Sequence, residues 1–552
     1  VVVFGDVHGD FDALMRLLRA NAIVDAQGRW SGGATHLVSL GDLLDRGPDS
    51  RKVMDQLKDL QGQAEAAGGR VHLVLGNHEL MNLTGDLRYV AAQEWQAFAA
   101  DESEAMRATE FPAYAAAHPD LAPDEQRATF DKTYPAGFFA HRHAFSPEGT
   151  YGAWLLAQPP LIRINRTLFV HGGLSPAISG YQPDSLALVF ADRLRSILAY
   201  RALLSEKGLI QPGEDLLGAG SHLSTGDPSA QADPHAEFIE LIADPLFLDQ
   251  GPLWYRGNSL CHPLLEGSQL QQLLSAWQAD RVVVGHSPTD TRRVTSRMNG
   301  LVIKADTGML AAYYRGAGYA LIMSPGSDQV VDEHGEVSLV REEPAAVNAG
   351  GLSDESLATE LSQGELSDTA EGLQAGRLRV EFTRLSARKA DKAVAAYLLD
   401  RHLGLGMVPV TVSRRLNGQT GILTPAVQPW ISHTELATRG QSRPNWCSAG
   451  HAYELITVFD ALIGNRSRTT DNLLTDPRSW RLRLDDHGDA FGTADHTGAY
   501  TAPPPVSKPL VHALESLTAD SLAVMLNDLL SKREITAILK RRDSILTNWP
   551  RV

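Results

Sequence analysis

Side chains able to bind metal recur in this sequence in one setting. Asp6 and His8 stand in GDVHG, Asp42 in GDLLDRG, Asn77 in GNHE, His171 in VHGG and His286 in VGHS. Each motif follows a short apolar run rich in β-branched residues. Carboxylate, imidazole and amide-oxygen donors together suit divalent manganese, iron or zinc, whereas calcium favours cages made of oxygen alone. These six donors, with one carboxylate between two cations, are what a pair of adjacent metals needs. A single GD or GH pair says little, because a histidine after a strand is commonly a hydrogen-bonded loop residue and glycine commonly serves a turn. The repetition of the pattern at successive strand ends carries the inference.

The apolar runs are the elements that must position these donors. VVVFGDVHGD from residue 1, HLVSLGDLLDRG from 36, VHLVLGNHE from 71, LIRINRTLFVHGG from 161 and RVVVGHSPTD from 281 read as buried strands bounded by glycine. Helical patterns at 11–19 and 51–66 separate the first three. The expectation is a layered α/β domain over 1–326 with chemistry at the carboxyl ends of its strands. Residues 92–160 read as a mostly helical insertion. Residues 327–375 are acidic, rich in small residues and poor in aromatics, which fits a connector. A second domain is expected over 376–552, opening at RLRVEF with helices at 391–403 and 510–530.

Bulk composition bounds the function. A chain of 552 residues exceeds one compact core. The formal charge of −16 argues against nucleic acid as partner, which calls for a basic surface. No apolar run is long enough to span a membrane as a helix. The chain opens on an apolar strand without a signal-peptide pattern, and the expectation is a soluble protein, cytoplasmic or periplasmic. Cys261 and Cys447 are too far apart for a CxxC motif and read as small core residues rather than a disulfide framework.

GDVHG, GDLLDRG, GNHE, HGGLSP and GHS, in that order, resemble the calcineurin-like metallophosphoesterases, specifically their phosphoprotein phosphatase branch. GNHELMNLTGDLRYV, GPLWYRG and DTGML resemble the bacterial Shewanella-like protein phosphatases of that branch. The resemblance covers about residues 1–325. It implies a β-sandwich flanked by helices and a phosphoric monoester hydrolase using two divalent ions, manganese before iron or zinc. It further implies that Asp6, His8 and Asp42 hold one metal while Asp42, Asn77, His171 and His286 hold the other. His78 would protonate the leaving group, Asp45 would orient His78, and Arg46 and Arg256 would grip phosphate oxygens. Asp10, Glu79 and Asp306 are expected to orient ligands. The residue before GNHE is leucine where eukaryotic relatives carry arginine, and no SAPNY-type loop is present. The substrate is expected to be a phosphorylated protein (Ser/Thr or Tyr) or a small phosphoester, nucleotides and dinucleoside polyphosphates included.

ALIGNRSRTTDNLL (461–474) and LRLDDHGDAF (482–491) resemble the carboxyl lobe of lipid-kinase-like and HipA-like kinases. AVAAYLLDRHLGLGMVPVTVSRRLNGQTG resembles their amino lobe. The resemblance implies an α+β kinase-like domain with Asn472 and Asp486 at metal positions. Ser467 stands where the family has its catalytic Asp, Ala393 where it has Glu, and Thr383 and Arg384 near its Lys. Asp471 is the one substitute base. The expectation is a pseudokinase that docks a protein partner or regulates the phosphatase, with a bifunctional phosphatase and kinase as the alternative.

Overall fold

A computed structural model describes residues 1–207, 209–211, 214–217, 236–343, 352–370, 372–426, 430–494, 497 and 500–551. They divide into two compact units, Val1–Ser259 with Gln272–Glu342, and Leu260–Gln271 with Glu343–Val552.

The first unit is built on strands β1 (Val2–Phe4), β2 (His36–Ser39), β3 (Arg70–Leu73), β4 (Leu161–Ile164), β5 (Thr167–Val170), β6 (Arg281–Val284), β7 (Thr295–Arg297), β8 (Val302–Lys304), β9 (Tyr319–Ser324), β10 (Ser327–Asp332), β11 (Val337–Leu339) and β12 (Arg341–Glu342). They form two six-stranded sheets, ordered β11-β10-β9-β1-β2-β3 and β12-β7-β8-β6-β5-β4. Val3, Val38 and Leu321 of the first sheet share one buried cluster with Phe169, Val283 and Ile303 of the second. Side chains alternate along a strand, so Val2 and Phe4 point to the opposite face, and they are buried as well. That is why these strands read as continuous apolar runs.

β1 pairs parallel with β2, and β2 with β3. Parallel neighbours need crossovers, supplied by helices α1 (Phe11–Ala20) and α2 (Ser50–Ala66). After β3 comes α3 (Asn77–Thr84), whose C-terminal residue Gly85 is left-handed. Residues 92–155 form α4 (Ala92–Phe98), α5 (Glu104–Ala117), α6 (Pro123–Thr133), α7 (Phe138–Ala144) and α8 (Thr150–Leu155). Tyr114, Phe130, Tyr134, Phe138 and Phe139 give these helices an aromatic core of their own. A long helix, α9 (Pro183–Glu206), follows β5.

The second unit holds β13 (Leu366–Thr369), β14 (Gly372–Ala375), β15 (Leu378–Arg384), β16 (Val412–Leu416) and β17 (Gln419–Pro425) in the antiparallel order β13-β14-β15-β17-β16. Helix Ala387–His402 packs on β16 and β17. A small sheet of β18 (Ile431–Ser432), β19 (Leu473–Thr475) and β20 (Leu482–Leu484) accompanies helices Ala449–Ile463, Lys508–Glu515, Ala519–Leu526 and Lys532–Asn548. Phe459, Leu462, Phe491, Leu514 and Ile538 lie at the centre of its core.

Three expectations are corrected. The acidic stretch 327–375 is not a free connector: its start forms β10, β11 and β12, and its end forms helix Asp354–Gln363, β13 and β14. Residues 344–351 of it lie outside the described residues. Low hydrophobicity misled there because edge strands expose much of their surface, as Val337–Leu339 do. The helix expected at 510–530 is two helices, because Thr518 accepts from the Ser521 amide at 3.0 Å and caps a new start. Cys261 and Cys447 form a disulfide within the second unit, with Cα atoms 5.4 Å apart across 186 residues of sequence. Pairing depends on Cα separation in the fold, which spacing in the sequence does not report.

A long closed loop makes this bridge a substantial constraint on the unfolded chain. Cys447→Ala is expected to lower the unfolding free energy of the second unit by roughly 2–5 kcal/mol in denaturant titration. Thiol titration of the denatured, unreduced native chain should find no free thiol. Two titrating thiols would remove the bridge.

Candidate metal centre

The expected ligands converge on one end of the double sheet. Asp6 and His8 follow β1, Asp42 follows β2, Asn77 and His78 open α3 after β3, His171 follows β5 and His286 follows β6. All seven are buried. The backbone there is unusual: His8, Asp42, Asp45, Arg46 and His286 have φ of 50, 51, 71, 68 and 63°. Left-handed backbone is costly for residues with a Cβ and persists where the surroundings impose it.

Glu79 does much of the imposing. Its carboxylate accepts from the amides of Gly76 at 2.7 Å, Asp42 at 2.8 Å and Leu43 at 2.8 Å, tying the β2 and β3 loops together. A Cβ at Gly76 would overlap the Asp42 carboxylate, so the glycine of GNHE is required by close approach. Burial, then the nearby Asp42, pushes the Glu79 carboxyl up to about 7.

His8 and His171 are each aimed through one ring nitrogen. His8 Nδ1 lies 2.9 Å from the Leu44 carbonyl and His171 Nδ1 2.8 Å from the Leu40 carbonyl. A ring N–H donated to a carbonyl leaves the other nitrogen as a free lone pair. His171 Nε2 stands 3.2 Å from Asp42 Oδ1 and 2.9 Å from Asn77 Oδ1. His8 Nε2 is 3.7 Å from Asp42 Oδ2 and 3.9 Å from Asp6 Oδ2. The His286 amide donates to Asp6 Oδ1 at 3.1 Å, while its buried Nε2 has no hydrogen-bond partner.

Among the described residues, two groups of donor atoms lie within metal-sharing distance, His8 with Asp42 and His78, and Asp42 with His171 and His286. Asp42 belongs to both. Asp6, Asp42, Glu79 and Asp306 are four buried carboxyls in one cluster. Burial and the neighbouring Asp306 hold the Asp6 carboxyl well above the usual carboxylate range. Burial also raises Asp42, but His171 and His78 outweigh it and hold that carboxyl well below its usual range. Buried charge of this density is tolerated when paired or coordinating metal. The donor chemistry, the shared Asp42 and the orphaned His286 Nε2 fit a pair of divalent cations.

Around these donors stand the remaining expected residues. His78 Nδ1 is 2.6 Å from Asp45 Oδ2, and Asn82 Nδ2 donates to Asp45 Oδ1 at 3.0 Å. Arg46 Nη1 reaches His8 Nε2 at 2.5 Å and also bonds the Tyr314 hydroxyl. Its guanidinium lies 5.0 Å from the Tyr89 ring centre and 5.3 Å from that of Tyr313. Arg256 Nη1 donates to the His286 carbonyl at 2.9 Å and to Ser287 Oγ at 3.0 Å.

Asp10 departs from expectation. Its carboxylate accepts from the Ala13 amide at 3.0 Å and caps α1, and among the described residues no hydrogen bond joins it to an expected ligand. Sequence reasoning missed Asn82 and the three tyrosines. Asn82 lies one helical turn beyond His78 on α3, a spacing that marks a shared face. Tyr314 is 306 residues from His8, and no local pattern links them.

The second-unit positions expected to correspond to a kinase lie elsewhere in the chain. Asn472 spends its amide on its own loop, donating to the Ser467 carbonyl at 2.8 Å and accepting from the Thr469 amide at 2.9 Å. Asp486 is exposed. Arg468 fills the loop instead, bonding Asp460 at 2.9 and 3.0 Å and the Asp485 carbonyl at 2.8 Å.

Comparison with known proteins agrees with this geometry. The family model described as calcineurin-like phosphoesterase matches residues 1–290. An uncharacterized protein of Schizosaccharomyces pombe is 28% identical over 337 residues, 60% of this chain and 80% of that protein. Shewanella-like protein phosphatase 2 of Arabidopsis thaliana is 40% identical over 98 residues, 18% of this chain and 25% of its own length. Shewanella-like protein phosphatase 1 of Plasmodium berghei is 24% identical over 313 residues, 56% of this chain and 67% of that protein. With a family match over more than half its length and a buried two-cation donor set at the matched strand ends, this chain belongs to the calcineurin-like phosphoesterases and is a metal-dependent phosphatase.

Proposed function

We propose that the first unit is a two-metal phosphomonoesterase acting on phosphoproteins, with manganese as the favoured ion. The observation that carries this reading is Asp42, shared by two buried donor groups beside the hydrogen-bonded pair His78–Asp45. When bound, the paired cations supply Lewis acidity and a hydroxide nucleophile at neutral pH. Asp6 and His8 complete one donor set with Asp42; Asn77, His171 and His286 complete the other. Arg46 and Arg256 grip the phosphate oxygens, a task their planar guanidinium suits. Asp45 engages His78 Nδ1 and orients the ring, so that Nε2 is the nitrogen that hands a proton to the leaving oxygen. The named Shewanella-like relatives support a phosphoprotein substrate.

For the second unit we propose a kinase-like module without phosphoryl transfer that docks a protein partner. Ser467 at the place expected for a catalytic Asp, buried Ala393 and the self-satisfied Arg468 loop support it. The disulfide supports an oxidising compartment, and hence the periplasmic alternative.

Asp42→Asn is expected to reduce p-nitrophenyl phosphate hydrolysis to background and to lower bound metal by elemental analysis; full activity would remove the two-cation model. His78→Asn is expected to slow alkyl phosphates by about 10²–10⁴-fold in kcat. Its effect on p-nitrophenyl phosphate, whose leaving group needs no proton, should be much smaller, and equal losses on both would dismiss His78 as the acid. Incubation of the full chain with labelled ATP and manganese is expected to label no protein. Labelling that Asp486→Ala abolishes would establish a kinase.

A further inference from the structure

Arg46 is held at the metal centre by neutral groups. Its Nη1 meets the Tyr314 hydroxyl and lies 2.5 Å from His8 Nε2, while its buried Nε has no hydrogen-bond partner. Among the described residues no carboxylate is hydrogen-bonded to it; Asp42 and Asp6 act on it only through space. Three rings flank the guanidinium, with the centres of Tyr89, Tyr313 and Tyr314 at 5.0, 5.3 and 5.4 Å from its carbon. All three lie within the range over which a ring face attracts a cation.

An arginine that must receive phosphate is poorly served by a carboxylate partner. The carboxylate would fix the side chain, but it would also compete for the paired N–H groups that grip two oxygens at once. A hydroxyl accepts one hydrogen bond and brings no charge, and a ring face attracts the cation without consuming a donor. Arg46 is restrained in this second way, with its side-chain hydrogen bonds confined to Nη1.

Tyr314 is in turn placed by a tight loop. After DTGML the chain makes one helical turn, Ala311–Tyr314, and the Tyr314 amide donates to the Leu310 carbonyl at 2.9 Å. Arg315 ends the turn in the left-handed region at φ 59°. Thr307 Oγ1 donates to the Ala317 carbonyl at 2.7 Å and closes the loop. Gly308 packs against the tyrosine so closely that a Cβ there would stand 2.6 Å from the Tyr314 Cβ. The Tyr314 ring stacks on the His8 imidazole, with centres 5.5 Å apart and planes 26° from parallel, and its hydroxyl is 3.3 Å from His8 Nε2.

His8 Nε2 belongs to the metal donor set, so the Tyr314 hydroxyl is the hydrogen-bond contact that remains to Arg46 when cations are bound. We propose that Tyr314 is a positioning residue whose hydroxyl fixes the Arg46 guanidinium for the phosphate oxygens, a role that rests on the reading of Arg46 as a phosphate grip. Tyr89 and Tyr313 supply the ring surfaces beside it.

The test uses the full chain loaded with manganese. Tyr314→Phe keeps the ring and removes the hydroxyl. Its kcat/KM on p-nitrophenyl phosphate should fall about tenfold, and calorimetry should find inorganic phosphate bound about tenfold more weakly, the loss expected for one hydrogen bond to a charged group. Metal content by elemental analysis should stay at the parent's level. Arg46→Ala should lower both quantities at least as far. Adding Tyr314→Phe to Arg46→Ala should change neither by more than about twofold, because the hydroxyl then has nothing to hold. Losses that multiply in the double variant, or parent values in Tyr314→Phe alone, would overturn the positioning role. Metal lost from Tyr314→Phe would overturn it too, by assigning the hydroxyl to His8. Undiminished phosphate binding in Arg46→Ala is a separate result, which would overturn the grip itself and the role of Tyr314 with it.

Discussion

The site depends on one buried carboxylate holding backbone. Glu79 has no exposed surface and accepts from three amides, two of them at the β2 loop and one at the β3 loop. Hydrogen bonds to a charged group contribute about 1.5–3 kcal/mol each, and a buried amide without a partner costs a comparable amount. The loops cannot drift apart without leaving those amides unsatisfied. Asp42, the carboxylate common to both donor groups, is thereby fixed by its own main chain rather than by side-chain packing.

The same logic extends to the imidazoles. Main-chain carbonyls of Leu44 and Leu40 fix His8 and His171, and Asp45 fixes His78. Left-handed backbone at His8, Asp42, Asp45, Arg46 and His286 stores strain in the loops. The two sheets offset that strain, since the strands feeding these loops are buried on both faces and cannot shift register without exposing apolar surface. A rigid double sheet that ends in strained loops is a means of presenting preorganised donors, which hydrolysis at a paired-cation centre calls for.

In the second unit, polar side chains satisfy one another. Arg468, Asp460, Asn465 and Asn472 are joined by hydrogen bonds that engage Asn472, one of the two positions expected to face a metal, while Asp486, the other, is exposed. Polar networks of that kind specify a fold when every member is satisfied. The proposed docking role is consistent with a loop whose polar groups are engaged with one another.

The sequence alone determined the apolar runs that become β1, β2, β3, β4 with β5, and β6, the order of the motifs, and the proposal of Asp6, His8, Asp42, Asn77, His171 and His286 as a donor set. These are local properties: a buried strand writes itself as an apolar run, and a loop residue that must approach backbone writes itself as glycine. Helix Phe11–Ala20 and helix Ser50–Ala66 were legible for the same reason, to within a residue of each end. The strands of 327–342 were not, because at the sheet edges and next to them the side chains are largely exposed and carry no apolar signature. Only the tertiary structure decided which nitrogen each histidine presents, how Asp10 is spent as a cap, where Tyr314 meets Arg46, and that Cys261 bonds Cys447. Apart from the Asp10 cap, which is local, each of those depends on groups separated widely in sequence, whose distance is set by the packing of whole layers and not by the residues between neighbours.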